Sequence, residues 1–526
     1  MLFNSIQFLI FFITTFLIIS LIKKKEYQYS FLIIASYYFY YSSSKGYLLL
    51  FVISSLVNFF LGNAIFKTKE ISNGEENIQS KAENISSSLI TSTHLTKRKF
   101  FLCLGLVFNL GLLGIFKYLD FSILIINDLS SLFGGHVNFS LLHIILPIGI
   151  SFYTFEALSY ILDIYWEKIV PEKSLTHFLL FLAFFPKLIA GPIVRASELL
   201  PQFAEDKIKL IGKNLKEGLT TVIWGIGKKI LIADNISIIV NSIFSNPEQF
   251  SSSLPIIFGA FAFGIQIYCD FSGYSDIAIG LAKMFGFTIP QNFQKPYLSK
   301  NPAEFWRRWH ITLSFWIRDY LYTPLYVFFS RRKLFQKIQN LTLRTKINIY
   351  LSNFIALFFI GIWHGAYWNF VFFGIYNGFL VVGYYVLLDA RKALGIFGKY
   401  GKNKIVELSS ISLTFYLTMF GFLLFRITNL SHLFFSLKRY SFIHLSGFTQ
   451  DISLMEKIIA NGKAGILMFF VFVVFYLYYA FIKQIDMKEK IQELPLYFWT
   501  GVLILFFIIF FIFLPSKTGV FIYFQF

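Results

Sequence analysis

Charge is scarce in this chain. Asp, Glu, Lys and Arg make up 14% of its 526 residues, against about 25% in a soluble domain. Acidic residues are scarcer than basic ones, 28 against 47, which leaves a net charge of +19. Cysteine is almost missing. Cys103 and Cys269 both lie in apolar sequence, which excludes a disulfide framework and a cysteine zinc site. Cys269 reads as a packed thiol in preference to a catalytic one. The chain also has no G-x-S-x-G elbow, no P-loop and no G-x-G-x-x-G after a strand, so the common hydrolase, NTPase and dinucleotide signatures are excluded.

Apolar sequence fills the space that charge vacates. The chain is 56% hydrophobic and 20% aromatic, and it reads as an all-α polytopic membrane protein. Spans are expected near 3–22, 30–44, 47–66, 100–118, 141–165, 215–232, 254–269, 350–365, 367–388, 408–427, 464–482 and 497–514. Met1–Ile22 carries no basic residue ahead of its apolar run and three lysines, Lys23 to Lys25, after it. It reads as a retained span and not as a cleaved signal. Six basic and no acidic residues lie from Arg331 to Lys346, and five basic and no acidic residues from Arg391 to Lys404. The positive-inside rule makes these cytoplasmic loops facing anionic lipid, and makes nucleic acid an improbable partner. The same count puts both termini and the stretch 428–463 outside. Residues 67–99, rich in Ser, Asn, Glu and Lys, read as a disordered cytoplasmic loop. The organisation expected is 1–99 as N-terminal spans and loop, 100–390 as a catalytic core, and 391–526 as C-terminal spans. Pro186, Gly191 and Pro192 interrupt one apolar stretch, and 270–303 is polar and Gly-rich. Re-entrant segments covered by protein or lining a cavity are expected at both.

Two histidines stand where an ionisable group is costly. His364, in Trp363-His364-Gly365 and close to Asn369, has no Lys, Arg, Asp or Glu within ten residues on either side. Such a residue inside a span is a functional-site hypothesis by default. A neutral imidazole can take a proton from a hydroxyl near physiological pH, which suits a general base. The plainer alternative is a core histidine bonded to a backbone carbonyl. His310 lies in Glu304–Tyr322, taken as one helix from Pro302. Its periodicity puts Glu304, Arg307, His310, Ser314 and Arg318 on one face and Phe305, Trp309, Leu313, Trp316 and Tyr320 on the other. An interfacial helix with snorkelling arginines would explain the aromatics and arginines, but it explains the histidine less well.

A third cluster, Asp270, Ser272, Tyr274 and Asp276, interrupts an apolar run. It reads as a polar turn that shapes a cavity, with carboxylates that orient the arginines of 304–318 or bind a cation. It has no His or Cys at ligand spacing, so no metal site is assigned.

The long stretches PIGISFYTFEALSYILDIY, FPKLIAGPIVR, CDFSGYSDIAIG, NFQKPYLSKNPAEFWRRWHITLSFWIRDYLY and GIWHGAYWNFVFFG resemble, in this order, the membrane-bound O-acyltransferase (MBOAT) family. Within it they resemble the alginate O-acetyltransferase branch, which is similar to the teichoic-acid D-alanyl transferases. The likeness runs from about residue 100 to 390, and the ending FIYFQF suits the same branch. The resemblance implies a ring of about 11–13 transmembrane and re-entrant helices around a central funnel, in a bacterial plasma (inner) membrane. It implies O-acetyl transfer from a cytoplasmic thioester, acetyl-CoA, towards hydroxyls of an exported polysaccharide, by way of an extracytoplasmic relay or glycan-modifying protein, with no bound cofactor. His364 matches the catalytic histidine and His310 the second one, which would orient the donor or stabilise the oxyanion. Trp306, Arg307, Arg308, Trp309, Ser314, Arg318, Asp319, Trp363 and Asn369 would line the funnel or hold the donor. Two departures are Asn377-Gly378, where many relatives carry His-Gly, and Pro324-Leu325-Tyr326-Val327 in place of P-L-G-G. Acyl transfer from a carrier protein is the alternative within the class, and a transporter is the alternative outside it.

Overall fold

A computed structural model describes residues 1, 3, 5–79, 86–204, 208, 210–395, 403–478, 487–515, 519 and 521–522, and of 69–95 only the backbone. Among the described residues the regular structure is helical throughout. Six stretches are long and apolar enough to cross a membrane, or seven if the pair 448–461 and 463–478, bent by 91°, forms one span. The chain divides into two compact units.

The first unit comprises Met1–Leu215 and Leu281–Pro290. Its main helices are α1 (Ile6–Leu21), α2 (Lys25–Ser44), α3 (Leu48–Gln79), α4 (Ser86–Leu113), α5 (Leu119–Leu132), α6 (Ile150–Tyr165) and α7 (Leu175–Ala183). Beyond α7 the chain is broken, as its prolines and glycine predict. A single turn, Phe185–Leu188, carries Pro186 in its first turn. The break survives at depth because its polar groups have partners. Lys187 and Glu156, both buried, form an ion pair, and Val194 N–H donates to the same carboxylate at 3.1 Å. The loop expected at 67–99 is helical wherever its backbone is described, since α3 runs on to Gln79 and α4 begins at Ser86. Glu, Lys and Gln are good helix formers, and propagating an existing helix is far easier than starting one. Residues 80–85 lie outside the described residues, as do 523–526 of the FIYFQF ending.

The second unit comprises Lys216–Gly280 and Gln291–Phe526. Its helices begin with α8 (Gly212–Ile226), which passes through a wider π-type stretch, Gly227–Asp234, into α9 (Asn235–Phe244). Next come α10 (Leu254–Met284), α11 (Pro302–Arg308), α12 (Ile311–Ile317) and α13 (Thr323–Arg331). The long helices α14 (Leu341–His364), α15 (Trp368–Ala393) and α16 (Lys404–Arg426) follow, then α17 (Phe448–Asn461), α18 (Lys463–Tyr478) and α19 (Leu496–Ile512). Lipid is as apolar as leucine, so close packing and polar contacts hold such helices together. Glycines provide the close packing here. A Cβ on Gly361 of α14 would lie 2.4 Å from the Gly374 Cα of α15, and one on Gly273 of α10 would lie 2.7 Å from the Gly225 carbonyl of α8.

Two expectations fail in this unit. The Asp270–Asp276 cluster is not a turn, because α10 runs through it without interruption. Its carboxylates are met by lysines of the π-type stretch, so the helix needs no bend to satisfy them. Pro302–Tyr322 is not one helix either. It breaks at Trp309–His310, where His310 takes a left-handed conformation, φ +42°. The break is clamped from outside: Gln294 N–H donates to Arg308 O and Ile311 N–H to Asn292 O, both at 2.9 Å. The single-face periodicity drawn through His310 therefore does not hold.

Candidate active site

The hairpin α14–α15 delivers His364 as the last residue of a span, with Gly365 following in an extended conformation. A Cβ at Gly365 would strike the Phe370 ring at 2.1 Å, so only glycine lets that ring close against the end of α14. The break between α11 and α12 delivers His310. His310 is fully buried and His364 is 6% exposed, and their ring centroids lie 6.5 Å apart. Aromatic rings surround them. Phe271 of α10 meets His310 edge-on at 4.6 Å, Trp363 lies 5.8 Å from it, and Phe425 of α16 lies 5.1 Å from His364. Two residues 54 positions apart in sequence are thus brought into one buried, aromatic setting.

The other predicted residues divide by position. Trp363 is buried against both histidines. Asn369 is fully buried and donates to Leu424 O and Phe425 O, at 3.1 and 3.3 Å. It satisfies carbonyls at the end of α16 and so holds Phe425 against His364. Trp306 and Trp309 are buried in packing with Phe305. Arg307 is exposed, and Arg308 is paired with Glu304 at 2.6 Å. The exposed Arg318 is paired with Asp319 at 2.6 and 3.1 Å. Ser314 Oγ donates to Trp309 O at 3.2 Å.

The carboxylate cluster belongs to a different network. Asp270 pairs with Lys229 at 2.7 Å, and Lys229 pairs with Asp234 at 2.8 Å. Ile522 N–H donates to Asp270 at 2.8 Å, and Lys229 donates to Gly519 O at 3.3 Å. The described end of the chain is tied down in this way, and Phe521 packs on Tyr274 with ring centroids 4.5 Å apart. Asp276 pairs with Lys228 at 2.6 Å and Lys488 at 3.6 Å. The carboxylates thus hold lysines and backbone, not the arginines of 304–318. Ser272, Asp276 and Asn292 line a cavity of about 770 Å³ that also takes in Tyr268, Phe472 and Lys228.

Sequence reasoning missed Asn292, Phe271 and Phe425. None of them interrupts a periodicity. The one signal was that Asn292 opens the NFQKPY stretch ten residues ahead of α11.

These features define a polytopic helical membrane protein with a buried histidine pair. Residues 172–392 match the MBOAT, membrane-bound O-acyltransferase family, and both histidines and the whole carboxylate cluster fall inside the match. It is similar to the probable alginate O-acetylase AlgI of Pseudomonas aeruginosa, 39% identical over 331 residues, 62% of this chain and 58% of that protein. It is 36% identical to the peptidoglycan O-acetyltransferase of Helicobacter pylori over 53% of this chain and 54% of that one. It is 29% identical to the teichoic acid D-alanyltransferase of Streptococcus thermophilus over 53% and 68%. The chain thus spans about three fifths of the length of the alginate O-acetylases it matches.

Proposed function

We propose that this protein is an O-acyltransferase of a bacterial plasma membrane, with both termini outside. It moves an acetyl group from a cytoplasmic thioester, acetyl-CoA, towards hydroxyls of an exported polysaccharide, through an extracytoplasmic partner protein. The observation that carries the reading is the histidine pair itself: two buried imidazoles in ring contact, drawn from separate elements and set among aromatic rings. His364 takes the proton of the attacking hydroxyl, the oxygen adds to the thioester carbonyl, and the carbon–sulfur bond breaks. The same proton then passes to the departing thiolate, so the imidazole is regenerated. His310 holds the reacting group beside it. The exposed Arg307 and Arg318 meet the donor's phosphates, a task that suits the guanidinium fork. A paired-carboxylate mechanism is unattractive here, because Asp270 and Asp276 are already engaged by lysines. D-alanyl transfer from a carrier protein is the second reading, favoured by the likeness to the teichoic acid D-alanyltransferase.

The test is thioester consumption by purified protein in liposomes given labelled acetyl-CoA on the cytoplasmic face. Consumption that disappears in His364→Ala, with the variant correctly folded, is the expected result. Equal consumption by the variant would overturn the role of His364. Inertness towards acetyl-CoA together with turnover of an aminoacylated carrier protein would move the function to the second reading.

A further inference from the structure

Asn292, 1% exposed, sits in the segment between α10 and α11 that clamps the break at His310. Its side-chain oxygen is 3.0 Å from His310 Nδ1, 2.9 Å from Thr312 Oγ1 and 3.3 Å from the Thr312 backbone nitrogen. Its amide nitrogen donates to Ser275 Oγ at 3.2 Å. The two ends of a carboxamide have nearly the same shape, so the orientation must be read from the partners. A backbone N–H can only donate, so the atom facing Thr312 N is the oxygen. His310 Nδ1 meets the same oxygen and therefore carries a hydrogen. A neutral imidazole has one N–H, which leaves Nε2 with its lone pair.

We propose that Asn292 is the positioning residue that fixes His310 as its Nδ1–H tautomer, so that Nε2 of this ring accepts a proton or hydrogen bond and does not donate to an oxyanion. This reverses the oxyanion-stabilising role that the family resemblance suggests for His310. The consequence for catalysis rests on the acyl-transfer reading; the tautomer does not. Neutral His310 has no N–H to spare for a developing negative charge. It acts on the hydroxyl side of the reaction, where a group that receives hydrogen bonds is useful. Asn292 touches no reacting atom and works through the ring it holds, as outer partners of ligating histidines do elsewhere.

The test is solid-state NMR of the full-length protein in lipid bilayers, labelled with ¹⁵N-histidine. The His310 signals are identified by subtracting the spectrum of His310→Gln. The expected wild-type spectrum at neutral pH shows a protonated Nδ1 and a bare Nε2. Asn292→Ala should move the ring to the Nε2–H form, while Asn292→Asp, which still accepts at that point, should keep Nδ1–H. In the thioester assay Asn292→Ala should lower kcat by about 10–100-fold with little change in KM, and Asn292→Asp should recover part of it. A wild-type His310 with Nε2–H, or signals unchanged in Asn292→Ala, would overturn the proposal. If Asn292→Ala does not fold, the wild-type spectrum decides alone. Absence of turnover in wild type with the expected tautomer removes only the acyl-transfer reading.

Discussion

Two groups of buried polar side chains lie in the same compact unit, and they are satisfied in opposite ways. Around Lys229, charge answers charge: two carboxylates and the chain's described end converge on one ammonium. Around His310 and His364, the neighbours include aromatic rings, one asparagine and one another. A buried charge is costly unless paired, and a completed pair leaves little room for chemistry. A buried neutral imidazole keeps a lone pair in reserve. Polarity inside a span is therefore not in itself a mark of catalysis; the kind of partner separates the scaffold from the site.

That distinction can be broken in order of expected effect. His364→Ala should lower turnover by about 10³-fold, within the range for a lost general base, and leave thermal stability near wild type. A loss of folding instead would assign His364 to the scaffold. Asp270→Ala should do the reverse. It leaves Lys229 short of a partner and Ile522 N–H without an acceptor, at about 3–5 kcal/mol, so thermal unfolding should fall sharply. Intact stability with lost activity would make the network part of the chemistry. Gly361→Ala forces α14 and α15 apart at their tightest point and should cost about 1–3 kcal/mol while displacing His364. A lowered melting temperature with reduced kcat is expected. Asn369→Ala removes two bonds to the end of α16, about 1 kcal/mol each. It should give a small loss of stability and a several-fold loss of kcat through Phe425. Arg318→Ala breaks an exposed pair with Asp319 and a guanidinium contact over the exposed Phe315 ring and should change stability little, with a raised KM for the thioester as its main effect.

Much of the architecture was legible from the residues. Runs of apolar sequence marked most of the helices, and proline with glycine marked the broken segment around Pro186. His364 stood out because a span of Phe, Ile and Trp offers an imidazole no local reason to be there. His310 was picked out for the wrong geometric reason, as one member of a helical polar face. A 3.6-residue period cannot reveal that the helix is interrupted, because the interruption is stabilised by Asn292 and Gln294, outside the window. The Asp270 cluster was misread as a turn for a related cause. Gly273 lies within the helix and lets α8 approach, and the lysines that neutralise the carboxylates lie some 40 residues earlier in the chain.

By itself the sequence determined that this is a helical membrane protein, and it singled out the two histidines. Apolar length and the cost of an unpaired polar group act locally, through bilayer thickness and solvation, and local rules can be read from one chain. The tertiary structure alone decided that His310 sits at a left-handed break, that its ring meets that of His364 at 6.5 Å, and that Asn292 chooses its tautomer. Those outcomes depend on partners distant in sequence, and hydrogen bonds and ring contacts only act within a few ångströms.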